Sequence, residues 1–187
     1  MKIKKIVVGY LEENCYFVTI DNDLIIVDPG DEFNKIDNII KNHNYNLVAV
    51  LITHAHFDHI GALEELINKY KVPIYYNNIN NEINYQNLIC IKEKEYEIDK
   101  FKFKVIFTPG HRNDLVTFYF YEDNVMFTGD FIFKESIGRV DLEYADFIDM
   151  KKSIDKIKKY DDKIIVYPGH GDFTTLGHEK ENNFYFD

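Results

Sequence analysis

The segment Thr53-His54-Ala55-His56-Phe57-Asp58-His59 places three imidazoles and one carboxylate within six consecutive positions. It follows the apolar run 47–52, which is typical of a fully buried strand. It precedes residues 61–70, in which apolar side chains recur at helical spacing: Leu63, Leu66, Ile67 and Tyr70. The pattern predicts a polar loop at the carboxyl end of a strand, where open α/β sheets usually place their chemistry.

The spacing within this loop favours metal binding. Alternate residues of an extended segment point the same way, so His54 and His56 can reach one metal ion together. Asp58 and His59 lie where the chain turns into the helix and can face a second position. Nitrogen and carboxylate ligands suit zinc, with iron or manganese as alternatives. The competing interpretation, a polar loop that binds nothing, does not explain such a density of ligand-type residues.

Composition and charge limit the class of protein. The 187 residues are enough for one sizeable core, and no repeat or linker appears, so we expect a single domain over residues 1–187. The net charge of -10, from 32 acidic and 22 basic side chains, argues against a nucleic-acid surface. No segment approaches membrane-spanning length. Cys15 and Cys90 are interpreted as buried, reduced thiols, which predicts a cytoplasmic protein.

The remaining pattern predicts an α/β protein. Period-2 and short apolar runs predict strands over 3–8, 15–20, 24–27, 47–52, 74–76, 88–91, 96–98, 100–107, 116–121, 125–127 and 164–167. Helical periodicity predicts helices over 32–44, 61–70 and 145–160, the last with Phe147 facing the core. The Asn-rich run 77–87 is predicted to be a mobile surface loop over the site. Asp28, in a Pro-Gly turn, could be a metal ligand, but the expected role is to brace that turn or the ligand loop.

Three further strands end in a tight turn that carries a ligand-type side chain. His111, Asp130 and His170 each directly follow a glycine, at positions where the backbone must bend sharply or pack closely. Any one of these residues alone is a weak signal. The same device at several strand ends indicates that the side chains converge on one site.

These motifs resemble those of the metallo-β-lactamase-fold hydrolases, and within them the type II glyoxalase (hydroxyacylglutathione hydrolase) branch. The ligand motif at 53–59 with the downstream His, Asp and His is highly specific for the fold. The Gly-Arg element at 138–139 and the Thr-Thr-Leu-Gly element at 174–177 point to the glyoxalase-like branch. The resemblance extends over segments 14–16, 28–30, 53–59, 108–111, 128–130, 138–139, 168–171 and 174–177.

The resemblance implies an αββα four-layer sandwich with a dinuclear metal site at one edge. It implies two groups of ligands, one for each of two divalent ions, with zinc expected first. The first group is His54, His56 and His111. The second group is Asp58, His59 and His170. Asp130 would bridge the two ions, and Asp58 is also predicted to be the catalytic carboxylate.

The implied reaction is hydrolysis of a small-molecule thioester by a hydroxide that bridges the two metal ions. A thiolate leaves without a strong general acid, because its pKa is only about 8.5. By the same resemblance Arg139 would contact the thiol carrier, and Lys134 is a second candidate for that contact. The alternative for Arg139 is a surface arginine that pairs with Asp141 or Glu143.

The chain also departs from the family pattern. After His111 it reads Arg-Asn-Asp-Leu over 112–115, where relatives usually have a small Gly/Ser-containing segment. Asp141 stands where glutathione-specific members often have an aromatic residue, and the chain ends before the extra helical domain of the longer enzymes. We expect the metal chemistry to survive these departures and the identity of the thiol to depend on them.

Other functions within the same fold remain open. One is a mononuclear iron persulfide dioxygenase, although His59 and His170 favour two metal ions. Another is a lactonase or β-lactamase. The last is a binding protein without catalysis, which the intact set of ligand-type residues argues against.

Overall fold

The amino-terminal half of the chain supplies a mixed sheet of six strands, in the order β1-β2-β3-β4-β5-β6. The structure, a computed structural model, describes residues 1–187. β1 to β3 pair antiparallel, and β3 to β6 pair parallel. The strands are β1 (Lys2–Val8), β2 (Glu13–Ile20), β3 (Asp23–Val27), β4 (Asn46–Leu51), β5 (Ile74–Tyr76) and β6 (Leu88–Cys90).

The second sheet also has six strands, in the order β14-β13-β10-β9-β8-β7. β7 to β10 pair antiparallel, and β13 runs parallel to β10. The strands are β7 (Glu95–Ile98), β8 (Phe101–Phe107), β9 (Val116–Phe120), β10 (Val125–Gly129), β13 (Ile165–Pro168) and β14 (Thr174–Thr175). A separate pair of short strands, β11 (Ile132–Phe133) and β12 (Ser136–Ile137), lies between them in the sequence.

Five α-helices connect or cover the strands. They are α1 (Phe33–Asn42), α2 (Phe57–Ile60), α3 (Leu63–Tyr70), α4 (Phe147–Ile157) and α5 (Leu176–Asn182), followed by a 3-10 turn over Phe184–Phe186. Asp146 caps the start of α4, because its side chain accepts the backbone N–H of Asp149. Thr175 caps α5 in the same way by accepting the backbone N–H of His178. Such side-chain caps satisfy the free N–H groups of the first turn.

Three apolar cores separate four layers. The first core lies between α1, α3 and the first sheet, the second between the two sheets, and the third between the second sheet, α4 and α5. β2 shows how one strand serves two cores: Cys15 and Phe17 point to the first, whereas Tyr16 and Val18 point to the second. This follows from the alternation of side chains along a strand. The αββα sandwich predicted from the sequence is therefore confirmed.

The predicted elements correspond closely to those observed, with four corrections. Phe147 is 44% exposed and does not face the core; Met150 and Ile154 do. α4 (Phe147–Ile157) is also shorter than the helix predicted over 145–160. Cys90 is exposed, because it lies on an edge strand of the first sheet. The two-residue strands β11, β12 and β14 were not predicted from the sequence, because they are too short to carry a periodic signal.

The strand ends converge because of strand direction. β8 and β10 each pair antiparallel with β9, and β13 pairs parallel with β10, so the carboxyl ends of β8, β10 and β13 lie at one edge of the second sheet. The backbone of β2 joins this edge through the hydrogen bond from Asn14 N–H to the Gly169 carbonyl, 2.8 Å. The Thr53 carbonyl, after β4, accepts the N–H of Val116 at 3.0 Å. No helix of residues 1–187 is long and apolar enough to cross a lipid bilayer.

Asp37 ties α1 to α3 away from this edge. Its buried carboxylate accepts hydrogen bonds from Lys41 (2.7 Å), Lys69 (2.5 Å) and the Tyr70 hydroxyl (2.6 Å). Burial opposes ionisation, but these three donors outweigh it and hold the pKa of Asp37 below its usual range. A carboxyl with a lowered native pKa stabilises the fold above its unfolded pKa, and the contribution is lost as the pH falls further.

We expect Asp37→Asn to lower the free energy of unfolding by about 1–3 kcal/mol at pH 7. The difference from the unmodified protein should shrink below about pH 4, where the carboxyl of the unfolded chain becomes protonated. Urea denaturation at pH 7 and pH 3 measures this, with Asp155→Asn on the exposed face of α4 as the control. An equal difference at both pH values would contradict the assignment.

Candidate metal centre

Close backbone approach brings the ligand loops together. Gly129 has φ +52°, and a Cβ there would lie 2.3 Å from the Thr53 hydroxyl oxygen. At Gly169 a Cβ would lie 2.3 Å from Asp130 Oδ1. Any side chain at these positions would push the loops apart, so both glycines are needed for the approach.

The first group of facing nitrogens belongs to His54, His56 and His111. The Nδ1 of His56 lies 3.0 Å from His54 Nε2 and 2.8 Å from His111 Nε2. The three ligand atoms all lie within 4.8 Å of one another. The structure therefore brings His111, from the end of β8, to the pair that the sequence placed on one loop.

The second group contains Asp58, His59 and His170. Asp58 Oδ2 lies 3.2 Å from His170 Nε2 and 3.8 Å from His59 Nε2. His59 is fully buried, whereas the side chain of His170 is about a quarter exposed, at 26%. This group opens to the cleft on the side of His170.

Asp130 stands between the two groups. Its Oδ1 lies 3.3 Å from His59 Nε2 and 3.6 Å from His170 Nε2, whereas its Oδ2 lies 3.5 Å from His111 Nε2. Each carboxylate oxygen therefore faces one group. This is the arrangement that a bridging carboxylate requires.

Asp28 orients two of the imidazoles. Its Oδ1 accepts the backbone N–H of Thr53 (2.8 Å), and its Oδ2 accepts the Thr53 hydroxyl (2.6 Å) and His59 Nδ1 (3.0 Å). Because the Thr53 hydroxyl donates its one proton to Asp28, its oxygen must accept from His54 Nδ1 at 3.1 Å. The Nε2 atoms of His54 and His59 are thus left facing the site. The prediction that Asp28 braces the ligand loop is confirmed.

Backbone carbonyls orient two further imidazoles. His111 Nδ1 donates to the Arg139 carbonyl at 2.8 Å, and His170 Nδ1 donates to the Leu11 carbonyl at 3.1 Å. A carbonyl can only accept, so each Nδ1 carries hydrogen and each Nε2 faces the site. Asn14 steadies the His170 turn by donating to the Pro168 and Gly171 carbonyls, at 3.0 and 2.9 Å.

The electrostatics of the two groups differ. Burial, followed by the neighbouring imidazoles, lowers the pKa of His54, and burial with His111 and Arg112 lowers the pKa of His56 to about 4. Burial would also lower the pKa of His59, but the carboxylates of Asp130 and Asp28 outweigh it and raise the pKa. The first group therefore favours neutral imidazoles, the form that binds metal.

The residues fit a pair of divalent cations. His59 Nε2 and Asp130 Oδ1 are buried without a hydrogen-bond partner, although native structures rarely leave buried polar atoms unpaired. The two atoms lie 3.3 Å apart, where Asp130 meets the second group. A nitrogen and carboxylate set of this kind suits zinc, iron or manganese.

Glu13 is a buried acid that sequence reasoning did not select. Its carboxyl oxygens have no hydrogen-bond partner, and Oε1 lies 3.9 Å from His59 Nδ1. Burial, only partly offset by His59, raises the pKa of Glu13. Glu12 is exposed and Glu13 is buried. Because the two neighbouring residues are identical, the sequence does not indicate which of them is buried.

The two groups open into a cleft of about 600 Å³. Apolar side chains form part of its wall: Leu11, Phe57, Phe133 and Leu142. No serine, threonine or cysteine lines it. None of residues 77–87 lines it either, so the predicted position of that loop over the site is wrong. The loop packs instead behind the site, where Glu82 contacts Arg112 and Asn80 contacts Asn113.

The two predicted substrate contacts lie in different places. Arg139 lines the cleft, but its Nε and Nη2 donate to the two oxygens of Asp141 at 2.9 and 3.0 Å. Both side chains are exposed, 67% and 68%. Lys134 does not reach the cleft; it lines a shallow depression with Phe173 and His178. The guanidinium of Arg139 is therefore already paired with Asp141, and Lys134 lies outside the cleft.

The fold and the site together define the class, a metal-dependent hydrolase with a histidine-rich candidate metal centre. The Metallo-beta-lactamase superfamily matches this chain over residues 8–82 and 91–170. The chain belongs to that superfamily.

Similar proteins extend over nearly the whole chain. The probable metallo-hydrolase YqgX of Bacillus subtilis is 32% identical over 98% of this chain and 96% of its own length. The hydroxyacylglutathione hydrolase GloC of Haemophilus influenzae is 30% identical over 98% and 97%. The solved B3 metallo-beta-lactamase BLEG-1 is 31% identical, with a TM-score of 0.91 over 99% of both chains. TTHA1623, solved in a di-iron-bound form, is 30% identical, with a TM-score of 0.86 over 97% and 99%.

We expect Asp28→Asn to weaken zinc binding by about 10- to 100-fold, because the amide cannot accept from all three donors that orient His54 and His59. Competition with a chromophoric chelator measures the affinity. Asp23→Asn is the control, because Asp23 begins β3 whereas Asp28 directly follows its other end. Unchanged zinc affinity in a folded Asp28→Asn protein would show that these contacts do not orient the imidazoles.

Proposed function

We propose that the protein hydrolyses thioesters of small hydroxy acids, as a glyoxalase II-like enzyme of the cytoplasm. The main support is the placement of Asp130, with one oxygen towards each group of ligand-type atoms. No serine, threonine or cysteine lines the cleft, which supports water as the nucleophile. The similarity to the Haemophilus hydroxyacylglutathione hydrolase supports the choice of a thioester.

In this proposal the two groups hold two divalent cations, with zinc as the first expectation and iron or manganese as alternatives. His54, His56 and His111 would hold the first, Asp58, His59 and His170 would hold the second, and Asp130 would be shared between them. Two such cations supply a water of lowered pKa and a Lewis acid for the carbonyl oxygen. Asp28 and the carbonyls of Leu11 and Arg139 keep the imidazole nitrogens aimed at them.

Asp58 is the residue that we assign to proton transfer. Burial opposes its ionisation, but His170 and His59 outweigh burial and hold the pKa of Asp58 below its usual value. Its Oδ2 faces those two imidazoles, and the residue lines the cleft, where its carboxylate would be in reach of a proton from the attacking water. The leaving thiolate needs no strong acid, because its conjugate thiol has a pKa of about 8.5.

The wall of the cleft suggests how the substrate is held. Its apolar part, which offers surface to the acyl or thiol arm, is formed by Leu11, Phe57, Phe133 and Leu142. The cationic fork of Arg139 is occupied by Asp141, and Glu143 adds a negative charge to the rim. These charges favour a thiol arm with little negative charge over a carboxylate-rich one.

A β-lactam is the second candidate substrate, because the similarity to BLEG-1 extends over 99% of both chains. The same cleft chemistry, attack of water on an activated acyl bond, applies to a lactam. The lactone and persulfide alternatives rest on the family resemblance and belong in the same substrate panel.

The substrate panel uses the full chain reconstituted with Zn²⁺ or Fe²⁺. It compares S-lactoylglutathione, a neutral S-lactoyl-N-acetylcysteamine, nitrocefin, a γ-lactone, and glutathione persulfide with an oxygen electrode. We expect the thioesters to give the highest kcat/KM. Oxygen consumption on the persulfide, or turnover of nitrocefin alone, would contradict the thioester proposal.

Removing a ligand of the second group tests the two-metal arrangement. We expect His59→Ala and His170→Ala to lose about one bound ion each and to lower kcat/KM by about 100-fold or more. The control is His43→Ala, since His43 lies at the end of α1, where its Nδ1 lies 3.0 Å from the Ile39 carbonyl and its ring stacks on Tyr45. Unchanged turnover in either variant would show that the second group takes no part in the reaction.

Asp141→Asn tests the rim charges. The variant should release Arg139 and raise kcat/KM for S-lactoylglutathione about two- to fivefold, the effect of an exposed ion pair. The neutral thioester should be unaffected. Asp149→Asn, whose carboxylate pairs with Lys152 in α4, is the control. Equal changes on both thioesters would argue against a charge effect.

A further inference from the structure

The segment 112–115, which departs from the family pattern, forms a buried charge cluster beside the first group. Arg112 is 5% exposed and Asp114 is 0% exposed. Neither residue is among the predicted ligands, and Asp114 does not line the cleft. Burying such an ion pair is costly, and apolar residues of similar volume often serve stability equally well.

The carboxylate of Asp114 contacts the ligand loop directly. Its Oδ2 accepts the backbone N–H of Ala55 at 3.0 Å, and Ala55 is the residue between His54 and His56. The same oxygen accepts the Tyr76 hydroxyl at 2.5 Å. A shift of Asp114 would therefore move the backbone from which both imidazoles project.

Arg112 connects this carboxylate to the remaining member of the first group. It directly follows His111, and its Nε donates to Asp114 Oδ1 at 2.8 Å. Its Nη2 donates to Glu82 at 2.5 Å, and its guanidinium lies 5.4 Å from the centre of the Tyr144 ring. The pair thus joins the two chain segments that carry the three facing nitrogens.

We propose that Asp114 is a positioning residue for the first metal site, with Arg112 holding its carboxylate in place. The contact to Ala55 keeps His56 Nδ1 facing both His54 Nε2, at 3.0 Å, and His111 Nε2, at 2.8 Å. This inference rests on the metal centre of the proposed function. It goes beyond the ligands, because it assigns the orientation of one group to a charge pair outside it.

The test is a zinc titration of the full chain against a chromophoric chelator, with the Co²⁺ absorption spectrum as a second readout. Asp114→Ser is too short to reach Ala55. We expect it to weaken the first site by about 10- to 100-fold, to leave the second within about threefold, and to change the Co²⁺ spectrum.

Asp37→Ser is the matched control. Asp37 is also a buried aspartate that accepts a tyrosine hydroxyl and a cationic donor, but it lies between α1 and α3. Its loss should lower Tm without changing zinc affinity or the Co²⁺ spectrum. If both serine variants lower zinc affinity equally, or if Asp114→Ser folds and binds zinc as the unmodified protein does, the positioning role is overturned.

Asp114→Asn decides the question if the serine variant does not fold. Its amide must turn an N–H group towards either Arg112 or Ala55, both of which are donors, so one contact is lost in each orientation. The expected loss at the first site is about three- to tenfold. Full zinc affinity in this variant would overturn the proposal.

The zinc titration separates this inference from the proposed function. If the unmodified protein binds two zinc ions but does not hydrolyse thioesters, the proposed substrate is wrong and the positioning role is still decided by the variants. If it binds no zinc, iron or manganese, both proposals fail.

Discussion

Asp130 stands between two sets of imidazoles, and each of its oxygens faces one set. Asp130 Oδ1 and His59 Nε2 are buried next to each other without hydrogen-bond partners. Burying such polar atoms is unfavourable unless a cation or a proton compensates them, because the protein has removed the water that would otherwise solvate them. The surrounding structure is arranged to hold this cluster in place.

The arrangement depends on residues that do not belong to the cluster. Asp28 assigns the proton of His59 directly and that of His54 through the Thr53 hydroxyl. The carbonyls of Arg139 and Leu11 do the same for His111 and His170. Fixed tautomers mean that the nitrogens already face the site before an ion binds, which reduces the reorganisation that binding would require. The main contact of the Gly-Arg element at 138–139 is therefore the Arg139 carbonyl, which orients His111, and the arginine side chain is of secondary importance.

Different parts of the cleft determine the reaction and the choice of substrate. In the proposed reaction, activation of water and of an acyl carbonyl would depend on the cluster, and the same chemistry would apply to different acyl substrates. Selection among substrates depends on the wall, where Leu142 and Phe57 offer apolar surface and Asp141 neutralises Arg139. Arg139, Asp141 and Leu142 come from the loop between β12 and α4, which can change without disturbing the strands that carry the cluster.

The sequence by itself determined the layers and most of the candidate site. Alternation along β2 and the helical spacing of α3 are local properties, and the His-rich motif lies within one loop, so these features can be predicted from neighbouring residues. Phe147 was placed on the wrong face, because one turn of a helix end has too few apolar neighbours to define its direction. The burial of Glu13, the pairing of Arg139 with Asp141 and the network of Asp114 with Ala55 and Tyr76 were decided only by the tertiary structure. Each depends on which segments meet in space, and side chains far apart in the chain leave no periodic signal of their contact.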